Sequence, residues 1–453
     1  MKRILTFPFF LAFLLALPTH AEETTGLVDP GAVKALLHDY QAAFGHPATG
    51  LLYHNRLDGP RGEAVLSSPE EIARGEVGGK SMPWGYGSGI QDIALENGQV
   101  LFALCEAHDA TGDEVLAAEA RKLFAALQIL ARISPEPGFV PRGPHPDGKS
   151  YYRDSSRDQH AAYIEALWRY GRSSLATPED QAFIAETLHA IAARMERHDW
   201  RILNEDGSAQ AHVGFGWKQF TTVGAISLLS SLAQVADATG DPHWRELYDH
   251  YSAERDGERW TRWLHPDAVE TGPPLTLYAN QFSQALTALR RLESDPGRQR
   301  QLAEFQRRWA ERALDANVFD PEKWRRLDWA GDRDEAATRA LIEPLGLELD
   351  RPVSVLELYD TYDRRWWAEP GNPTHGVMQK LCYGLCTVAL HGALLSEDPA
   401  LRARVRPTVA RMVKEFSENQ QHYRGGENFN RTVILGLLAL DDEKANTTAP
   451  NQQ

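Results

Sequence analysis

FTTVGAISLLSSLAQVADATG, Phe220–Gly240, is the stretch whose reading decides the fold. Small and apolar residues run through its whole length instead of keeping to one stripe. A helix apolar all round needs cover on both sides. It closes on Thr239-Gly240-Asp241, and the segment after it, 242–254, is charged and amphipathic. Thr111-Gly112-Asp113 closes an earlier apolar helix, about 90–108, in the same way, and an amphipathic helix follows it to about residue 133. A short turn between two such helices makes an antiparallel hairpin.

The same cycle runs along the chain. A first helix is expected over Gly31–Phe44, with Val33, Leu36, Leu37, Tyr40 and Phe44 at helical spacing. A Gly/Pro-rich connection, 45–88, leads to the 90–108 helix. The loop 134–156 leads to Arg157–Tyr170 and then Pro178–Arg197. The loop 198–216 leads to the opening stretch. A Trp-rich loop, 255–274, leads to LTLYANQFSQALTALRRLE and the helix 297–314. The long loop 315–375 leads to HGVMQKLCYGLCTVALHGALL and the helix 398–418. The loop 419–426 leads to ENFNRTVILGLLAL. Six less amphipathic helices alternate with six amphipathic ones. The expected fold is all-α, an (α/α)6 toroid of six helical hairpins with the first kind inside. All six long loops precede inner helices, so they gather on one face. Loops on a rigid scaffold are where function tends to lie.

Charge and cysteines narrow the field. The chain opens MKRILTFPFFLAFLLALPTHA, with a basic start, an apolar run and a small-residue exit. That is expected to be a Sec signal peptide, residues 1–21, cleaved near Ala21, for a periplasmic or secreted protein. Residues 22–440 are expected to form one catalytic domain and 441–453 a disordered tail. Loss of Lys2 and Arg3 leaves 46 Lys+Arg against 63 Asp+Glu, a net charge of −17. An acidic surface repels nucleic acid and anionic membranes, and no membrane anchor is expected. Cys105, Cys382 and Cys386 lie in apolar helical runs and are expected to be buried thiols; a link from Cys105 to one of the other two is the alternative. The chain is expected to be monomeric and to need no cofactor. No HxxxH or HxH spacing supports a metal.

The polar residues concentrate at the starts of the inner helices. YYRDSSRDQHAAYIEALW, Tyr151–Trp168, packs Tyr152, Arg153, Asp154, Arg157, Asp158, Gln159 and His160 around one helix start. Capping accounts for Ser155 and Ser156. It does not account for the two arginines, two aspartates and two tyrosines beside them. Trp84, Tyr86, Gln91, Asp92 and Glu96 mark the preceding inner helix. His212 and Trp217 mark the third, and Tyr278 and Asn280 the fourth. Trp366 and His375 mark the fifth; Tyr423, Arg424, Glu427 and Asn428 mark the sixth. Sugar rings need aromatic faces for their C–H surfaces and bidentate polar groups for their hydroxyls, and this set supplies both. The expected partner is a carbohydrate.

GYGSGIQDIALENG, SSRDQHAAYIEALW and the segment GFGWKQFTTVGAISLLSSLAQVADATGD resemble the six-hairpin glycosidase-like superfamily, particularly the unsaturated-glucuronyl and rhamnogalacturonyl hydrolases. The resemblance implies that Asp92 and Asp158, on two neighbouring inner helices, flank the sugar. Glycoside hydrolysis needs one carboxyl kept protonated and a second kept ionised. Asp154 and Glu427 are further carboxyl candidates, and His160 a candidate acid or base. A polysaccharide lyase is the first alternative, using His or Tyr as base with Arg or Asn neutralising a uronate. A sugar epimerase on the same toroid and a non-catalytic glycan-binding toroid are the others.

Overall fold

The computed structural model describes residues 27–265, 279–315, 384–420 and 426–440, with Ser354, Leu356 and Tyr359 between them. The described chain is mostly helical, and its one two-stranded sheet pairs Glu76–Val77 with Lys80–Ser81. The major helices are α1 (Pro30–Phe44), α3 (Ile93–Thr111), α4 (Glu114–Leu127), α6 (Arg157–Gly171), α7 (Pro178–Arg197), α8 (Thr222–Thr239) and α9 (Pro242–Thr261). They continue with α10 (Ala279–Leu292), α11 (Pro296–Leu314), α12 (Leu385–Leu395), α13 (Pro399–Asn419) and α14 (Gly426–Leu438). Two short helices, α2 (Pro69–Arg74) and α5 (Ile129–Arg132), lie in the connections. The 45–88 connection therefore carries α2, the small hairpin and a 3-10 turn at Gly62–Val65.

Two kinds of helix are present. In α6 every residue from Asp158 to Tyr170 is buried. In α7 burial follows a stripe, Ile184, Thr187, Leu188, Ile191, Ala192, Arg194 and Met195, as one wet face requires. A fully buried Ile or Leu contributes about 1.5–3 kcal/mol, so such a stripe is enough to fix a helix against its neighbour. Helices α3, α6, α8, α10, α12 and α14 each pack on the next, and α14 packs back on α3. Helix α6 also touches α10 directly. Helices α1, α4, α7, α9, α11 and α13 pack against these six. Helices α3 and α6 approach closely at Gly98, where an added Cβ would lie 2.7 Å from the Ala162 carbonyl of α6.

The Thr-Gly-Asp turns are one device used twice. At 111–113 the Thr111 hydroxyl donates to the Ala107 carbonyl, Gly112 takes φ of 68°, and Asp113 accepts from Val115 and Leu116 N–H. At 239–241 the Thr239 hydroxyl donates to the Val235 carbonyl, Gly240 takes φ of 65°, and Asp241 accepts from His243 N–H. Glycine reaches the left-handed region without the penalty a Cβ imposes. The expected loop at 255–274 is corrected at its start. Helix α9 breaks at Glu254–Gly257 and resumes to Thr261. Trp260 and Trp263 are consequently buried against each other, edge to face, instead of lining a loop.

Beyond the C-terminal half of α3 an ion-pair network ties the cycle together. Arg169 of α6 pairs with Glu106 and Asp109 of α3. Arg291 of α10 donates to both oxygens of Glu106, at 2.7 and 2.8 Å, and to Glu397 in the α12–α13 turn at 2.6 Å. Burial opposes ionisation of Glu106, but Arg291 and Arg169 outweigh it and hold its carboxyl down at about 2. Cys105, one residue away, is a buried thiol pushed up to about 12 by desolvation; Cys386 is buried, and Cys382 lies outside the described residues. No helix among the described residues is long and apolar enough to cross a membrane.

Two stability outcomes follow. Gly112→Ala and Gly240→Ala should each lower the unfolding free energy by about 1–2 kcal/mol, the cost of a left-handed non-glycine residue, read from urea midpoints. Glu106→Gln leaves two arginines short of a partner and should cost about 3 kcal/mol. Because the folded carboxyl titrates below its unfolded value, its stabilisation is complete above about pH 4.5 and is lost as pH falls towards 2. Thermal melts of the wild type should lose this component across that window, and melts of Glu106→Gln should not.

Candidate functional site

The connection before α3, the Tyr151–Trp168 stretch and the loop before α8 meet at one guanidinium, and the start of α14 joins them through His54. Arg142, in the PRGP segment of the 134–156 loop, is buried. Its Nη2 donates to the Ser155 and His212 carbonyls, both at 3.0 Å. Its Nε donates to Asp154 Oδ1 at 3.4 Å, and its Nη1 lies 3.6 Å from Asp92 Oδ1. Its planar face lies over the Tyr86 ring, 4.8 Å from the centroid. Asp154 Oδ2 accepts from the His212 backbone N–H at 3.0 Å.

Asp92 stands at the N-cap of α3 but makes no capping hydrogen bond. The first-turn donors are satisfied by other groups: Ala94 N–H by the Arg142 carbonyl, and Leu95 N–H by Gln159 Oε1. The Asp92 carboxylate is thereby left for another use, and Gln159 Nε2 orients it at 2.8 Å. Burial and the neighbouring Glu96 charge push it up to about 6, against His54 and Arg142, and the Asp158 charge adds to the rise. Asp158 lies in the first turn of α6, where Arg157 Nε approaches it at 3.6 Å. Burial raises its carboxyl against Arg157 and Arg142, and burial also raises that of Asp154. Two carboxyls of neighbouring helices thus bear on each other in a site where ionisation is costly.

An aromatic wall stands beside them. Trp84 stacks on His212, with ring centroids 4.4 Å apart and planes at 11°, and Tyr86 meets the same imidazole edge-on at 5.2 Å. His212 is exposed, and Trp84 and Tyr86 are half-buried. Burial raises the Tyr86 phenol, with Asp92 and Asp158 contributing. Arg157 lies over the exposed Phe215 ring at 5.6 Å.

Sequence reading overlooked two members of this assembly, Arg142 and His54. His54 Nδ1 donates to Glu96 Oε1 at 2.8 Å. Its backbone N–H donates to the Gly89 carbonyl and its carbonyl accepts from Gly426 N–H, so it joins the start of α14 to the segment before Asp92. Burial works against its charge, but Glu96, with Asp92 and Glu427, outweighs that and lifts the ring to about 9. Glu96 Oε2 is buried without a hydrogen-bond partner. Glu427 itself pairs with Arg431 one turn on, and Asn428 is half-buried next to it.

Other expected contacts lie elsewhere. Trp217 is buried at 1% exposure and has no face for a sugar. Tyr152 is buried with its hydroxyl on the Glu76 carbonyl, 2.6 Å away. Arg153 projects into solvent near Glu205. His160 is buried, its Nδ1 donating to the Ser156 carbonyl at 3.1 Å, and burial pushes its ring down to about 4. It is a neutral packing histidine that braces the turn before Asp158. Asn280 is buried at the start of α10, with its Oδ1 unpartnered. Tyr278, Trp366, His375, Tyr423 and Arg424 lie outside the described residues. Ser156 does cap α6, accepting from Gln159 N–H, whereas Ser155 donates to the Val140 carbonyl. Among the described residues no group of three or more His, Cys, Asp and Glu is placed to hold a metal ion.

No protein-family model matches this sequence, and no curated protein or solved structure matches it either.

The coupling of His54, Glu96 and Asp92 is open to direct measurement. Glu96→Gln removes a negative charge from both neighbours, so His54 should titrate below about 9 and Asp92 below about 6. Histidine ring NMR shifts against pH, assigned with His54→Gln, report the first. An unchanged His54 titration in Glu96→Gln would remove the dyad.

Proposed function

We propose that this chain is an exported glycoside hydrolase on an (α/α)6 toroid, acting on an oligo- or polysaccharide through a pair of carboxyls. The cyclic packing of α3, α6, α8, α10, α12 and α14, with amphipathic helices packed against them, supports the toroid. The observation that carries the chemistry is the Asp92 carboxylate. It occupies a cap position, caps nothing, is oriented by Gln159, and is kept protonated to about pH 6 next to a second buried carboxyl. Hydrolysis of a glycosidic bond needs that asymmetry between an acid and a base or nucleophile.

In this reading Asp92 is the general acid. It gives its proton to the leaving glycosidic oxygen as the bond to the anomeric carbon breaks. Asp158, whose rise is opposed by Arg157 and Arg142, is the ionised partner that activates water or attacks the anomeric carbon. Trp84 and His212 give the sugar a flat face. Asp154 is held by Arg142 and the His212 N–H, so its part is to position the His212 segment.

Asp92→Asn and Asp158→Asn should each reduce kcat by 10²–10⁴-fold, the usual weight of general acid–base catalysis, with circular dichroism unchanged. Activity should fall as pH rises through about 6, where Asp92 loses its proton. Reducing ends and ultraviolet absorbance are followed together on a glycan panel. New reducing ends without a new chromophore mark hydrolysis, and a chromophore marks the lyase alternative. Full activity in Asp158→Asn rules out the assignment of the pair, and binding without turnover leaves a glycan-binding toroid.

A further inference from the structure

Among the described residues, the cations in contact with the site's carboxylates already have partners. Arg142 spends Nε on Asp154, aims Nη1 at Asp92 and gives Nη2 to two carbonyls, with its side chain only 2% exposed. His54 donates to Glu96. Arg431 is buried against Glu427. Arg157 faces Asp158 and covers Phe215. Against these four stand five carboxylates: Asp92, Glu96, Asp154, Asp158 and Glu427. Arg153, in the same polar turn, is turned away to Glu205.

From this arrangement we infer that the site selects a sugar unit that bears no carboxylate, and that uronic acid residues are excluded from it. The inference rests on the carbohydrate reading above and adds the class of sugar. A uronate bound beside Trp84 and His212 would place a sixth carboxylate among five. Among the described residues it would be met only by guanidinium groups whose charge is already matched. Like charges brought together in a partly desolvated site repel strongly, whereas the hydroxyls of a neutral sugar find acceptors in the same carboxylates. Aromatic stacking on Trp84 is indifferent to the substituent, so discrimination falls on the carboxylate floor. Burial raises the Asp92, Asp154 and Asp158 carboxyls, and the Glu96 and Asp158 charges add to the rise at Asp92, so a further charge is costly to desolvate there.

The test is calorimetric binding to the full mature chain with Asp92→Asn, which blocks turnover. The ligands are oligouronides, the same oligosaccharides after chemical reduction of their carboxyls, and a panel of neutral oligosaccharides. Measurements are made at pH 8, where an ordinary imidazole is uncharged, at 0.05 and 0.5 M salt. Neutral or carboxyl-reduced glycans should bind at least tenfold more tightly than any uronide, with little change between the two salt concentrations. An oligouronide that binds as tightly as its reduced counterpart, or more tightly, overturns the inference and leaves the carbohydrate reading standing. Failure of every glycan to bind removes the carbohydrate reading itself, and the inference with it. Asp92→Asn removes one of the five charges, so the whole comparison is repeated with Asp158→Asn. A preference for reduced ligands in both variants supports the exclusion, and its loss in both overturns it.

Discussion

A buried guanidinium with an assigned direction for nearly every N–H holds the candidate site together. Among the described residues Arg142 is the one side chain that reaches Asp92, Asp154, the Ser155 and His212 carbonyls and the Tyr86 ring. Burying such a charge is costly unless it is paired and fully hydrogen-bonded. Here two carboxylates, two carbonyls and an aromatic face supply that pairing, and the planar fork of arginine suits a set of acceptors in fixed directions. Three connections that share no secondary structure are brought into one register by these bonds. The orientation of Asp92 by Gln159 and the stacking of Trp84 on His212 both depend on that register.

The two ends of the helical cycle treat charge in opposite ways. Near the helix starts, carboxyls are buried, and desolvation outweighs the neighbouring cations and pushes them towards the protonated state. At the C-terminal half of α3, Glu106 is buried with two arginines and stays ionised. Both ends desolvate their carboxylates, and the local balance of guanidinium to carboxylate decides the sign of the shift.

The parts of this arrangement that were legible in the sequence are those set by near neighbours. Thr-Gly-Asp is read within five residues, and both copies form the expected turn. Burial round most of α8 follows from its run of small and apolar residues along a single helix. Asp92 and Asp158 stood out because they fall at helix starts, where local pattern and site coincide. His54 and Arg142 did not, since each lies in a Gly/Pro-rich connection and takes its role from partners tens of residues away. Trp217 shows the reverse failure. Its composition suits a sugar platform as well as a core, and only packing decides; here it is the core. Arg153 and Arg157 are four residues apart in one polar turn, yet one is turned to solvent near Glu205 and the other covers Phe215 beside Asp158. Trp260 moved from an expected loop into a helix because the chain resumes α9 after a four-residue break, which no periodicity announces.

The closure of the helical cycle bears on how the chain is made. Helix α3 is flanked by α6, which follows it soon, and by α14, whose Asn430 side chain donates to the Glu96 carbonyl across 334 residues. Gly426 N–H reaches the His54 carbonyl over a comparable span. At a translation rate of roughly 5–20 residues per second, one flank of α3 waits about 20–60 s for its cover. During that time the Glu96 carbonyl and its neighbours on α3 lack their α14 partner. The packing on that flank of α3 is completed only once α14 has been synthesised.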